Sequence, residues 1–155
     1  MAKNKNYTEK KFECTRDGLT IRGLMFEPKN GKSNAEGKWP VAIVSHMFMV
    51  NYKMTVKYAR FLAEKGYLSV CYDFNGGGIF SKSDGKSVNM SVLTEVKDLE
   101  AVIEAVLKHE KADASRLLLM GCSQGGFVSA LVAARHPEMV EKLVLFYPAL
   151  SIPDD

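Results

Sequence analysis

The stretch Leu117-Leu118-Leu119-Met120-Gly121-Cys122-Ser123-Gln124-Gly125-Gly126 decides how the chain is read. It opens on a short apolar run of the kind a fully buried strand shows. It closes on Gly-x-Ser-x-Gly, and the residues beyond it have helical character up to the break at His136-Pro137. A serine placed in that pattern between a strand and a helix sits on a sharp turn. Gly121 and Gly125 carry no side chain, so strand and helix can pass close together while the Ser123 hydroxyl is forced outward. The helix begins at the serine, and its unpaired N–H groups and positive end favour negative charge developing on a substrate oxygen. The pattern predicts a nucleophilic serine; the plainer reading is a glycine-rich turn with an incidental serine.

Working outward, short apolar runs alternate with helical ones from Trp39 onward. Val41 to Ser45, Leu68 to Tyr72, Leu117 to Met120 and Leu143 to Tyr147 read as strands, buried on both faces by crossover helices. Met54, Tyr58, Phe61 and Leu62 recur at helical spacing up to Gly66, a C′ stop. Leu93, Val96, Leu99, Val102, Ile103 and Val106 do the same, and a third helix runs from about Gly125 to His136. Upstream, Phe12 and Cys14, the turn pair Asp17-Gly18, then Leu19, Ile21 and Met25 predict an antiparallel hairpin. Residues 29–38 read as a surface loop and residues 1–9 as a flexible tail.

The expected fold is therefore an α/β three-layer sandwich in one domain over residues 1–155, its mostly parallel sheet of about six strands opened by an antiparallel hairpin. Functional residues of such a sheet collect at the carboxyl ends of the strands. His46, Asp73, Ser123 and Pro148 stand at that rim; His109 and His136 end helices and fall at the opposite edge.

Composition narrows the function. With 46% hydrophobic and 25% charged residues the chain can bury a core. No apolar run is long enough for a membrane span, and the opening residues lead into no apolar signal region, so a cytoplasmic location without membrane contact is expected. Cys14, Cys71 and Cys122 are widely spaced with no metal-type clustering, which predicts free thiols and no metal site. The net charge of +3 comes largely from scattered lysines near the start, without a basic helix face, so nucleic acid is not an expected partner. Gly85-Lys86-Ser87 suggests a phosphate loop but fails on spacing, because Phe80 stands where that loop needs glycine.

Four segments together carry a resemblance: Val44-Ser45-His46-Met47-Phe48-Met49, Tyr72-Asp73-Phe74-Asn75-Gly76-Gly77-Gly78, the run Ser83-Asp84-Gly85-Lys86 with Met90-Ser91-Val92-Leu93, and the Ser123 elbow. The chain resembles the N-terminal half of the α/β-hydrolase superfamily, and within it bacterial cinnamoyl- or feruloyl-esterase-like serine hydrolases. The resemblance implies a carboxylic-ester hydrolase working through an acyl-enzyme, with a small-molecule ester as substrate and no cofactor. It implies Ser123 as nucleophile, the amides of Gln124 and Phe48 as the oxyanion hole, and His46, Gly121 and Gly125 in support. Two positions depart from the family pattern: Met47 and Gly77 stand where glycine and histidine are usual. Met47 adjoins Phe48, whose amide is one half of the implied oxyanion hole.

A serine hydroxyl needs a base within about 3 Å, itself oriented by a carboxylate. The family supplies both after the sixth strand, and the sequence stops at Asp155, where a lid would begin; a truncated fold with no lid is the expectation. His136 cannot serve, since the helical rise places it roughly 20 Å from Ser123. His46 is expected to brace the oxyanion loop, Asp73 to accept from the turn amides of Asn75 to Gly78, and Cys122 to lie in the core. Residues 143–147 would form an open apolar edge, predicting self-association or pairing with a C-terminal fragment. The rival to an enzyme is a non-catalytic fragment or self-associating remnant of one.

Overall fold

The computed structural model describes residues 5–151. Strands β1 (Tyr7–Arg16) and β2 (Leu19–Pro28) form the antiparallel hairpin, turning at Asp17 and Gly18, both with positive φ. There follow β3 (Trp39–Ser45), α1 (Val56–Glu64), β4 (Leu68–Tyr72), α2 (Val92–Leu107), β5 (Ala112–Cys122), α3 (Gln124–Arg135) and β6 (Val140–Phe146). They build one six-stranded sheet in the order β1-β2-β4-β3-β5-β6. β4, β3, β5 and β6 run parallel, and β2 joins β4 antiparallel.

Residues of β3 alternate between the two faces as the pleat requires. Val41 and Ile43 pack into a core with Val96, Leu99, Val102 and Val128, from α2 and α3. Ala42 and Val44 join Ala59 and Ala63 of α1, with Phe26, Leu118 and Met120. The sheet is thus covered on both faces, and β3 and β4 are mostly apolar because neither side meets water; the buried Ser69 hydroxyl of β4 donates to the Ala59 carbonyl at 2.6 Å.

Three sequence expectations change. The tail is shorter than 1–9: Tyr7, Thr8 and Glu9 already pair with β2, and Tyr7 is buried edge-to-face on Phe26; residues 1–4 lie outside the described residues. In α1 the innermost positions are Ala59 and Ala63, whereas Met54 precedes the helix and Phe61 points outward. Small residues let the helix approach the sheet, so the contact line falls one position away from the stripe of large side chains. Third, Leu93 is exposed although it fits the apolar spacing of α2, because it lies in the first turn, where the Ser91–Thr94 capping box starts the helix.

Candidate active site

The strand order reverses at β3: the chain goes from β3 to β4 on one side, and β5 then lies on the other. The carboxyl ends of β3 and β5, at that reversal, are where a sheet of this kind places its functional residues. Ser45 and Gly121 are register partners across the two strands, so the residues leaving them, His46 to Met49 and Cys122 to Gly125, start side by side.

At the end of β5 the chain turns within one residue. Ser123 is held at φ 50° and ψ −119°, a backbone region that costs a non-glycine residue energy, and α3 starts at Gln124. Packing maintains the strain. A methyl at Gly121 would strike the Gly125 carbonyl oxygen, and one at Gly125 would strike the carbonyl oxygens of His46 and Ser45. Backbone bonds clamp the turn from the β6 side: Ser123 N–H donates to the Phe146 carbonyl at 3.0 Å, and the Ser123 carbonyl accepts from Ala149 N–H at 3.1 Å. Ser123 itself is partly exposed. Cys122, one residue earlier, is fully buried; burial pushes its thiol up, while a bond to Tyr147 works against the rise, so it stays protonated core.

The loop after β3 lies against this turn. His46 is 1% exposed; its Nδ1 bonds the Met47 carbonyl at 2.6 Å, and its Nε2 accepts from Phe74 N–H at 3.2 Å. That pattern assigns the proton to Nδ1. Burial pushes the imidazole down, against the Met47 carbonyl and the nearby Asp73 charge, so His46 is neutral. With both nitrogens engaged it braces the loop and cannot take a proton from Ser123. Phe48 follows, more than half exposed, and Met49 adopts φ 57° and bridges to Gly78. Ile79 N–H donates to the Met49 carbonyl, which ties the loop after β3 to the loop after β4, and Phe48, Ile79 and Phe80 on these loops are exposed.

Asp73 differs from expectation. Its carboxylate accepts from Tyr52 N–H and Lys82 N–H, each at 2.7 Å, and not from the amides of Asn75 to Gly78. The loops after β3 and β4 both fold back over the end of β4, so long-range partners reach the carboxylate first. His109 and His136 bond Glu27 and Glu100 at the opposite edge, each at 3.0 Å, as their positions at the ends of helices imply. Among the described residues no group of three His, Cys, Asp or Glu converges as metal ligands would.

Sequence reading missed Glu95. It is buried on the inner face of α2 and accepts from Gln124 Nε2 at 2.6 Å, directly behind the elbow. The signal was present: Glu95 stands three residues after Val92 and four before Leu99, within the apolar stripe.

The sequence model of the family described as serine aminopeptidase, S33, matches residues 40–155. The chain belongs to this family of α/β hydrolases. Acylamino-acid-releasing enzyme from Sus scrofa is 26% identical to this chain over 141 residues, covering 87% of the chain and 19% of that protein. The Homo sapiens enzyme matches at the same identity and coverage. Among solved structures, Est1E from Butyrivibrio proteoclasticus with ferulic acid bound is 28% identical at a TM-score of 0.79, over 92% of this chain and 54% of that one. DcsB in complex with its substrate analogue is 29% identical at a TM-score of 0.79, over 95% of this chain and 48% of that one. The chain thus spans about a fifth of the curated relatives and about half of these two structures. The family match takes in β3 to β6 and the elbow, and the solved structures, similar over more than nine tenths of the chain, support the α/β-hydrolase fold.

Proposed function

We propose that this chain carries the nucleophile-bearing part of a serine hydrolase that cleaves carboxylic esters through an acyl-enzyme. The observation that carries the reading is the strained backbone of Ser123 at a strand-to-helix turn, held by two glycine contacts that leave no room for a side chain. Ser123 Oγ attacks the ester carbonyl carbon and its proton passes to a base. The amides of Gln124 and Phe48 hold the oxyanion, the alcohol leaves with a proton, and water then releases the acid. His46, His109 and His136 each bond other groups, at the Met47 carbonyl, Glu27 and Glu100, so none of the three stands as the base for Ser123.

For the acyl group we favour an aromatic acid. Phe48, Ile79 and Phe80 offer exposed apolar surface beside the loop that faces the elbow, and Est1E, whose structure holds ferulic acid, is similar across nearly the whole chain. Three free thiols suit a reducing compartment such as the cytoplasm.

The test offers Ser123 an external base. Imidazole added to the 155-residue chain is expected to accelerate p-nitrophenyl ester turnover above the rate of imidazole alone, and Ser123→Ala is expected to remove the excess. An N-acyl-alanine p-nitroanilide measured alongside separates ester from amide preference. Turnover equal in the native chain and Ser123→Ala, with and without imidazole, favours a non-catalytic protein.

A further inference from the structure

Helix α2 turns two carboxyl groups into the protein, Glu95 and Asp98, and their surroundings differ. Asp98 is matched from several sides: Arg16 Nε donates to it at 2.6 Å, Asn75 N–H at 2.9 Å and Asn75 Nδ2 at 3.1 Å. Glu95 is 1% exposed, and among the described residues its partner is Gln124 Nε2 alone, at 2.6 Å. Burying a carboxyl away from any cation is costly, and a leucine would fill the same stripe at no such cost. Burial pushes Glu95 up to about 7; the Gln124 bond works against the rise and the Asp98 charge adds to it. Its structural return is therefore the grip on Gln124.

Gln124 is the first residue of α3, and Gly125 and Gly126 follow it. Glycines contribute no side chain to lock the first turn of that helix. The Gln124 side chain instead reaches across to α2, where it also meets Met90 Sδ at 3.9 Å. We propose that Glu95 is a positioning residue for the oxyanion hole: by holding the Gln124 side chain it fixes the direction of the Gln124 backbone N–H beside Ser123. The proposal rests on the reading of Ser123 as nucleophile and the Gln124 amide as oxyanion donor. Misplacing a reacting or stabilising group by about 1 Å costs on the order of 10²-fold in rate, so a loosened amide has a measurable effect.

The experiment follows Ser123 phosphonylation by a fluorophosphonate, with imidazole present, and separates the maximal rate kinact from the half-saturating concentration KI. Glu95→Ala is expected to lower kinact about 10-fold or more with KI unchanged, because oxyanion contacts act in the transition state. Glu95→Gln, which keeps an acceptor for Gln124 Nε2, is expected to restore most of the loss. Gln124→Ala, which keeps the backbone amide, is expected to match Glu95→Ala, and the double variant to lose no more than either single one. A native kinact in Glu95→Ala, or losses that multiply in the double variant, overturns the proposal. Should Glu95→Ala fail to fold, Gln124→Ala reads the same link from the other side, and a native kinact there overturns it. Wild-type chain that shows no Ser123-dependent labelling at all overturns the hydrolase reading instead.

Discussion

At Ser123 the backbone pays a conformational cost that the surrounding glycines and the clamp to β6 enforce. A non-glycine residue in such a region is destabilised by about 1–3 kcal/mol. Glycine adopts it freely and adds about 0.5–1 kcal/mol of chain entropy loss. Ser123→Gly is therefore expected to raise stability by roughly 1 kcal/mol in urea unfolding while abolishing fluorophosphonate labelling. A destabilised Ser123→Gly protein would show that the turn is unstrained. The reverse holds at Gly125, where Ala must displace the carbonyls of Ser45 and His46. Overpacking of that kind costs about 1–3 kcal/mol, so Gly125→Ala is expected to lower the urea midpoint and slow labelling together. An unchanged midpoint would mean that the β3 loop does not press on the elbow.

Helix α2 joins the core to the elbow through one titratable group. Glu95 is raised from 4.5 to about 7 in the folded protein. Between those values the folded state keeps a proton that the unfolded chain has released, so stability falls as pH rises through the window. The slope from one such group is at most about 1.4 kcal/mol per pH unit. Glu95→Gln removes the titration and is expected to flatten the fall in urea midpoint from pH 5 to pH 8; an equal fall in both proteins would place the group elsewhere. Element boundaries were legible where burial is complete: β4 runs Leu68–Tyr72 as its apolar run predicts. They were less so where a strand outlasts its apolar stretch, as in β5, which starts at Ala112 because Trp39 and Pro40 extend the pairing. The elbow was legible because glycine spacing is local chemistry. Glu95 and the partners of Asp73 were not, since a carboxyl on a helix or strand end reads as solvated until a distant segment is seen to cover it.

Across the whole molecule, β6 ends the sheet with Leu143, Val144 and Phe146 partly exposed, their backbone groups unpaired on the outer side among the described strands. An apolar edge of this kind is a template for a further strand. We propose that the 155-residue chain self-associates through it. Light scattering is expected to give a mass above the 17.2 kDa of one chain, and Val144→Lys to return it to that value. A monodisperse monomer at high concentration would contradict the proposal. No helix among the described residues is long and apolar enough to cross a membrane. The proposed function needs the strained turn to present Ser123 Oγ to a reagent, and peptide mapping by mass spectrometry after fluorophosphonate treatment in imidazole reads this most directly. The expected result is one adduct, on Ser123; label spread over other hydroxyls, or retained in Ser123→Ala, would contradict it.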